Sequence, residues 1–206
     1  MSFALWLGFL VAALVIALTP GPGALLAMST GMRLGYGPAL SAIAGLQVAL
    51  LMHLAVVALG LGALLAASEH AFSILRLLGA AYLVWLGVRK WRAAAAPGLV
   101  TPAGRRHLFL QGLLVNLANP KAIVFIAALV PQFLDPARSL LGQYLAIAAT
   151  LCATDVVVMS GYALTASRVG RWLSDPRALR WQNHVFGGIF VGAGALLAVA
   201  GRPGQV

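Results

Sequence analysis

Two charged residues stand where the sequence surrounds them with hydrocarbon. Lys121 lies inside LLVNLANPKAIVFIAALV and Asp155 inside YLAIAATLCATDVVVMSGYAL. An ionised side chain at the centre of a bilayer costs about 2.5–3.5 kcal/mol on insertion scales. Two such residues are tolerated if they pair or face a wet cavity. Opposite in sign, they could bind a zwitterion and handle a proton. They could equally be a buried ion pair that only joins two helices, although apolar replacements of such pairs often hold as well. Enzyme chemistry would need a nucleophile with a base, or a metal constellation, and the apolar runs contain neither. A divalent cation wants several carboxylates or imidazoles, and only Asp155 and His53 are at hand, so no metal site and no cofactor is expected.

The second feature is a pair of interruptions. Thr19-Pro20-Gly21-Pro22-Gly23 breaks one apolar run, and Asn119-Pro120-Lys121 breaks another one hundred residues later. Proline removes an intrahelical hydrogen bond and clashes with the carbonyl one turn back, while glycine adds conformational freedom. Irregular backbone at membrane depth survives only where protein or a water-filled cavity satisfies it. A half-helix starting after Pro22 presents free N–H groups and a positive dipole end, which attracts a carboxylate. A second half-helix at Pro120 does the same, and Lys121 adds a full charge. Thr19, Pro20, Gly21, Pro22, Gly23, Asn119, Pro120 and Lys121 are therefore the candidate substrate-binding residues, with Asp155 the candidate proton-coupling group. A plain proline kink without a ligand is the competing reading.

Other polar residues in apolar runs have two readings each. Gln47 joins helices or lines a path. His53 is a hydrogen-bonded packing residue or a proton-relay member. Tyr82 and Tyr162 reach a cavity with their hydroxyls or simply pack. Ser29 and Thr30 can bond back to their own helix.

These residues need long apolar elements to position them. The chain has 206 residues, 62% hydrophobic and 9% charged, against about a quarter charged in soluble domains. It is expected to be an all-α integral membrane protein forming a single domain over residues 1–206. At roughly 20 residues per span, six helices with short loops use the whole length. They are placed at about Phe3–Met32, Ala39–Ala66, Phe72–Val88, Leu108–Val130, Leu140–Ala166 and Val185–Ala200. Unbroken, the first would be about 45 Å long in a hydrocarbon core of ~30 Å, so a break near Pro20 fits. Ser68-Glu69-His70, Ala93–His107, Pro131–Pro136 and Arg168–His184 are expected as connections, the last an interfacial loop with room for a turn of amphipathic helix. Ser41, Gly45 and Ala49 in the second helix, and Gly188 and Gly192 in the sixth, have the spacing that admits a close neighbour. The first eighteen residues lack a basic n-region and a cleavage site, and read as a retained span rather than a signal peptide. Cys152 lies inside an apolar run and can form no internal disulfide.

The net charge of +10 does not point to nucleic acid, because the charges sit in short segments between apolar runs. With the midpoint connection inside, ten basic residues fall inside: Arg33, Arg89, Lys90, Arg92, Arg105, Arg106, Arg168, Arg171, Arg177 and Arg180. Only Arg76, Arg138 and Arg202 fall outside. The positive-inside rule then turns both termini outward.

The halves resemble each other. Thr19-Pro20 aligns with Asn119-Pro120, Gln47 falls near Asp155, and Gly79-Ala80-Ala81-Tyr82 matches Gly187-Gly188-Ile189-Phe190. Three spans per half invert the second repeat. The expected fold is two inverted three-helix repeats, about 1–92 and 107–201, with helices 1 and 4 broken, as in many secondary transporters.

TPGPGALLAMSTGMRLG, LLGAAYLVWLGVRKWR, LLVNLANPKAIVFIAALVPQF, TDVVVMSGYALTASRVGRWL and FGGIFVGAGALLA together resemble the lysine-exporter (LysE) family of amino-acid translocators, in its homoserine/threonine-resistance (RhtB) branch. The resemblance covers nearly the whole chain in order, departing at Ala24, where relatives often place a polar residue such as Asn. It implies a non-enzymatic exporter of amino acids or close derivatives in a bacterial inner membrane, driven by the proton gradient, with amino acid, protons and lipid as partners. The charge pair, summing to zero, favours a zwitterion. Distant relatives moving divalent cations keep a metal-exporter reading in view, beside a membrane scaffold.

Overall fold

A computed structural model describes residues 1–67, 69–92, 102–135, 137–169 and 176–199. The described residues form α-helices joined by short turns. Helix α1 spans Phe3–Leu18, α2 Pro22–Leu34, α3 Tyr36–Ala67 and α4 Glu69–Arg92. After a 3-10 turn at Arg105–His107 come α5, Leu108–Leu117, and α6, Pro120–Val124. A π turn at Phe125–Leu129 and a 3-10 turn at Val130–Phe133 prolong α6, followed by α7, Leu140–Val169, and α8, Pro176–Val199.

The breaks fall where proline demands them. Thr19 and Asn119 each precede a proline and adopt extended ψ values of 115° and 104°, as the clash with the proline ring requires. The chain bends by 55° between α1 and α2 and by 54° between the segments flanking Pro120. Farther along, Pro131 has no N–H for the carbonyl four residues back, and the helix there widens and then tightens. Among the described residues, α3 and α7 are long and apolar enough to cross a membrane, and each bent pair is too when counted as one span. Helix α1 turns Phe3, Leu7, Val11, Leu14 and Leu18 outward in a single exposed stripe. A surface so apolar is made for lipid.

Several expected boundaries move. Glu69 and His70 open α4 instead of forming a loop, while Ser68 lies outside the described residues. Pro131, Gln132 and Phe133 are wound into the 3-10 turn, and Pro136 lies outside the described residues. Arg168 belongs to α7, and Arg177, Arg180 and Trp181 to the first turns of α8, while residues 170–175 of the expected connection lie outside the described residues. Basic and aromatic residues at the end of a span read as loop by hydropathy, but their backbone is helical.

Helices pack chiefly as α4 on α8, α3 on α5, and α7 on α1, α2 and α3. Glycines permit the closest crossings. A Cβ on Gly45 would strike the Phe109 carbonyl, one on Gly112 the Ala42 carbonyl, and one on Gly31 the Ala163 backbone. The small-residue face expected on the second helix is therefore the seat of α5. In α8 the close contacts come from Gly187, against Gly87 and Trp91, and Gly194, against Ala80. Gly188 and Gly192 are exposed, so the crossing lies on the adjacent face. Phe9, Leu50, Phe125, Ile126, Ile147 and Leu151 form a core between α1, α3, α6 and α7. Ala27, Ile43, Leu46, Met159 and Ala163 form another between α2, α3 and α7.

Candidate functional site

Between these two cores lies a cavity of about 40 Å³, room for a few waters at roughly 10–15 Å³ each. Both breaks meet there. Its lining includes Ile16 and Ala17 from α1, Gly23 and Ala24 from α2, Asn116, Asn119 and Lys121 from the second break, and Thr154, Asp155 and Met159 from α7.

The prolines decide which backbone groups need outside partners. Pro20 has no N–H to return to Ile16, and Pro22 none to return to Leu18. Side chains from the other half of the chain supply the missing donors. Lys121 Nζ donates to the Ile16 carbonyl at 2.9 Å and to the Thr19 carbonyl at 2.8 Å. The Tyr162 hydroxyl donates to the Leu18 carbonyl at 2.7 Å. Lys121 reaches these positions by lying over Gly21, where an added Cβ would sit 3.2 Å from Cε and Nζ. Cations suit this end of a helix, which carries the negative pole of its dipole.

The two helix starts differ. Gly21 caps α2 without a side-chain bond, leaving the N–H groups of Gly23 and Ala24 without partners in their own helix. At the second break Asn119 caps α6, its Oδ1 accepting from the Lys121 backbone N–H at 3.1 Å. Asn119 Nδ2 donates to Asn116 Oδ1 at 3.0 Å, and Asn116 Nδ2 to the Leu46 carbonyl at 2.9 Å. The start of α2 is thus the more open to an incoming anion.

Asp155 sits across the cavity. Gln47 Nε2 donates to Asp155 Oδ2 at 2.6 Å, while Gln47 Oε1 is buried with no partner. Lys121 and Asp155 line the same cavity. Ala24, the position of departure from the resemblance, is buried and lines the same space.

Of the residues singled out by sequence, Gly23, Asn119, Lys121 and Asp155 line the cavity. Thr19 and Gly21 touch it through Lys121 and Gln47 through Asp155, whereas Tyr162 bonds to Leu18, which does not line it. Pro20 and Pro22 act through the carbonyls that lose their α-helical donor, and Pro120 starts α6. His53 does not line it and its Nδ1 is buried with no partner, and Tyr82 packs on Trp85, ring centroids 5.3 Å apart. Asn116 and Thr154 escaped the sequence reading. Their signal was weak, a polar residue one turn from a residue already chosen or beside it. Ser29 bonds back to the Leu25 carbonyl, as expected. Among the described residues no three His, Cys, Asp or Glu side chains converge.

Bent apolar helices whose broken ends enclose one cation and one anion define a membrane transporter. The chain matches the family model described as LysE type translocator over residues 14–201. It belongs to that family, and is a multi-pass membrane transporter rather than an enzyme. A homoserine/homoserine lactone efflux protein of Salmonella typhimurium is 45% identical over 203 residues, covering 97% of this chain and 98% of the relative. An uncharacterized membrane protein of Vibrio cholerae is 41% identical, covering 97% and 99%. A leucine efflux protein of Enterobacter sp. is 33% identical, covering 92% and 93%. No solved structure matches the chain.

Proposed function

We propose that this translocator exports small neutral or zwitterionic amino acids and close derivatives, of the homoserine and homoserine-lactone class, across the bacterial inner membrane in exchange for protons. The observation that carries this reading is the single cavity shared by Lys121, Asp155 and both breaks. The names of the relatives at 45% and 33% identity supply the substrate class. A substrate carboxylate is drawn to Lys121 and to the N–H groups of Gly23 and Ala24, and its ammonium to Asp155. After outward release, a periplasmic proton neutralises Asp155 and lets the empty carrier return. About 40 Å³ admits waters but no amino acid, so this conformation corresponds to the closed carrier, and substrate enters when the helices part.

Six spans in two inverted repeats fit the contacts. Exchanging the halves turns the α3–α5 contact into α7–α1 and maps α3–α7 and α4–α8 onto themselves. The basic bias places the midpoint connection in the cytoplasm and both termini in the periplasm. A divalent-cation exporter finds no ligand cluster among the described residues.

Expression in an export-deficient bacterial host tests the substrate class. Growth should become resistant to added homoserine and homoserine lactone, with faster efflux of both. Resistance to divalent metals without resistance to any amino acid would contradict the reading.

A further inference from the structure

The carbonyl end of α1 has the chemistry of a binding site, and Lys121 occupies it. Pro20 denies the Ile16 carbonyl its α-helical donor and leaves it a long bond from the Thr19 N–H, at 3.3 Å, and the Ile16 and Thr19 carbonyls point to the same ammonium, at 2.9 and 2.8 Å. Gly21 leaves the space through which the lysine reaches them. Ile16 and Lys121 belong to the cavity lining, as does Asp155. Carbonyls at the C-terminal end of a half-helix are common cation ligands in discontinuous membrane helices.

We infer that the Ile16 and Thr19 carbonyls form a primary-ammonium subsite, filled by Lys121 in the closed empty carrier and by the substrate ammonium in the loaded one. This deepens the proposed function and rests on its placement of substrate in the cavity. Loading is an exchange. The substrate ammonium has three N–H donors, enough to hold the two carbonyls and Asp155 together. The displaced Lys121 then meets the substrate carboxylate. A carboxyl-blocked substrate offers the same ammonium and leaves Lys121 to Asp155, so acids and their lactones or esters share one site. A hydroxy acid without the ammonium cannot displace the lysine.

Thermal unfolding of the purified full-length chain in detergent, with methylammonium chloride as probe and tetramethylammonium chloride as control, tests the subsite. Lys121→Ala empties it. Methylammonium should then raise the melting temperature saturably, by about 3–6 °C at ten times its dissociation constant. Tetramethylammonium has no N–H and should not. The wild type, already filled by its own ammonium, should show no such shift. No methylammonium-specific shift in Lys121→Ala, or an equal shift in the wild type, would overturn the inference. If Lys121→Ala does not fold, Gly21→Ala serves instead, because the added methyl, 3.2 Å from Lys121 Cε and Nζ, loosens the lysine on its seat. It should show a smaller methylammonium-specific shift, and none would overturn the inference. The transport reading fails separately. A wild type that moves no amino acid leaves a methylammonium shift standing, and a wild type that exports without any such shift in the variants keeps the transport reading alone.

Discussion

The Tyr162 hydroxyl donates to the Leu18 carbonyl across 2.7 Å, and Pro22 is the reason that carbonyl is available. One half of the chain thereby completes the hydrogen bonding of a helix in the other, 144 residues away. Lys121 does the same for Ile16 and Thr19. The first break is thus held by partners supplied from α6 and α7.

Tyr162→Phe removes the donor and keeps the ring. A hydrogen bond of this kind is worth about 0.5–1.5 kcal/mol net, and the site is partly open, so the loss falls in that range. Melting in detergent should drop by a few degrees, roughly 2–4 °C per kcal/mol at this length. An unchanged melting temperature would mean that the tether contributes nothing.

Gln47→Leu tests the partner of Asp155. The donated bond is short, 2.6 Å, and bonds to charged groups are worth about 1.5–3 kcal/mol. Substrate affinity should fall about ten-fold or more, measured as the dissociation constant of homoserine by calorimetry. Unaltered affinity would make Gln47 helix glue alone.

Pro20→Ala with Pro22→Ala returns N–H groups to the Ile16 and Leu18 carbonyls. The helix can then close over the break and release Lys121 and Tyr162. Insertion into the membrane should be normal and export lost, checked by surface labelling and efflux on the same cells. Full export by the double variant would reduce the motif to a packing kink.

The breaks were legible because proline acts on its own neighbours. Pro20, Pro22 and Pro120 name the places where a helix stops, and Pro20 and Pro22 name the carbonyls four residues back that lose their α-helical donor. What fills those carbonyls was not legible, because Lys121 and Tyr162 come from more than one hundred residues away. Helix ends were misplaced where charge and burial part company. Arg177, Arg180 and Trp181 look like a loop by hydropathy but wind into the first turns of α8. Gly188 and Gly192 have the right spacing, yet Gly187 and Gly194 carry the crossing, since spacing alone does not fix which face meets the neighbour. His53 is as polar as Gln47 and as deep in the same helix. Yet Gln47 meets Asp155 at the cavity while His53 does not line it, since polarity alone does not fix which face of a helix meets the site.

Proton exchange at Asp155 is the centre of the account, and one measurement bears on it most directly. Right-side-out vesicles loaded with labelled homoserine, carrying wild type or Asp155→Asn at matched expression, are diluted into acidic buffer that holds homoserine at a higher concentration than inside. Asparagine keeps the shape of a protonated aspartate but cannot gain or lose a proton. The wild type should drive efflux against a homoserine gradient, and the rate should rise with external acidity. Asp155→Asn should lose uphill efflux while keeping some homoserine binding through Lys121 and the start of α2. Uphill efflux by Asp155→Asn at the wild-type rate would show that Asp155 is not the coupling group, and would leave it a structural partner of Gln47 and Lys121.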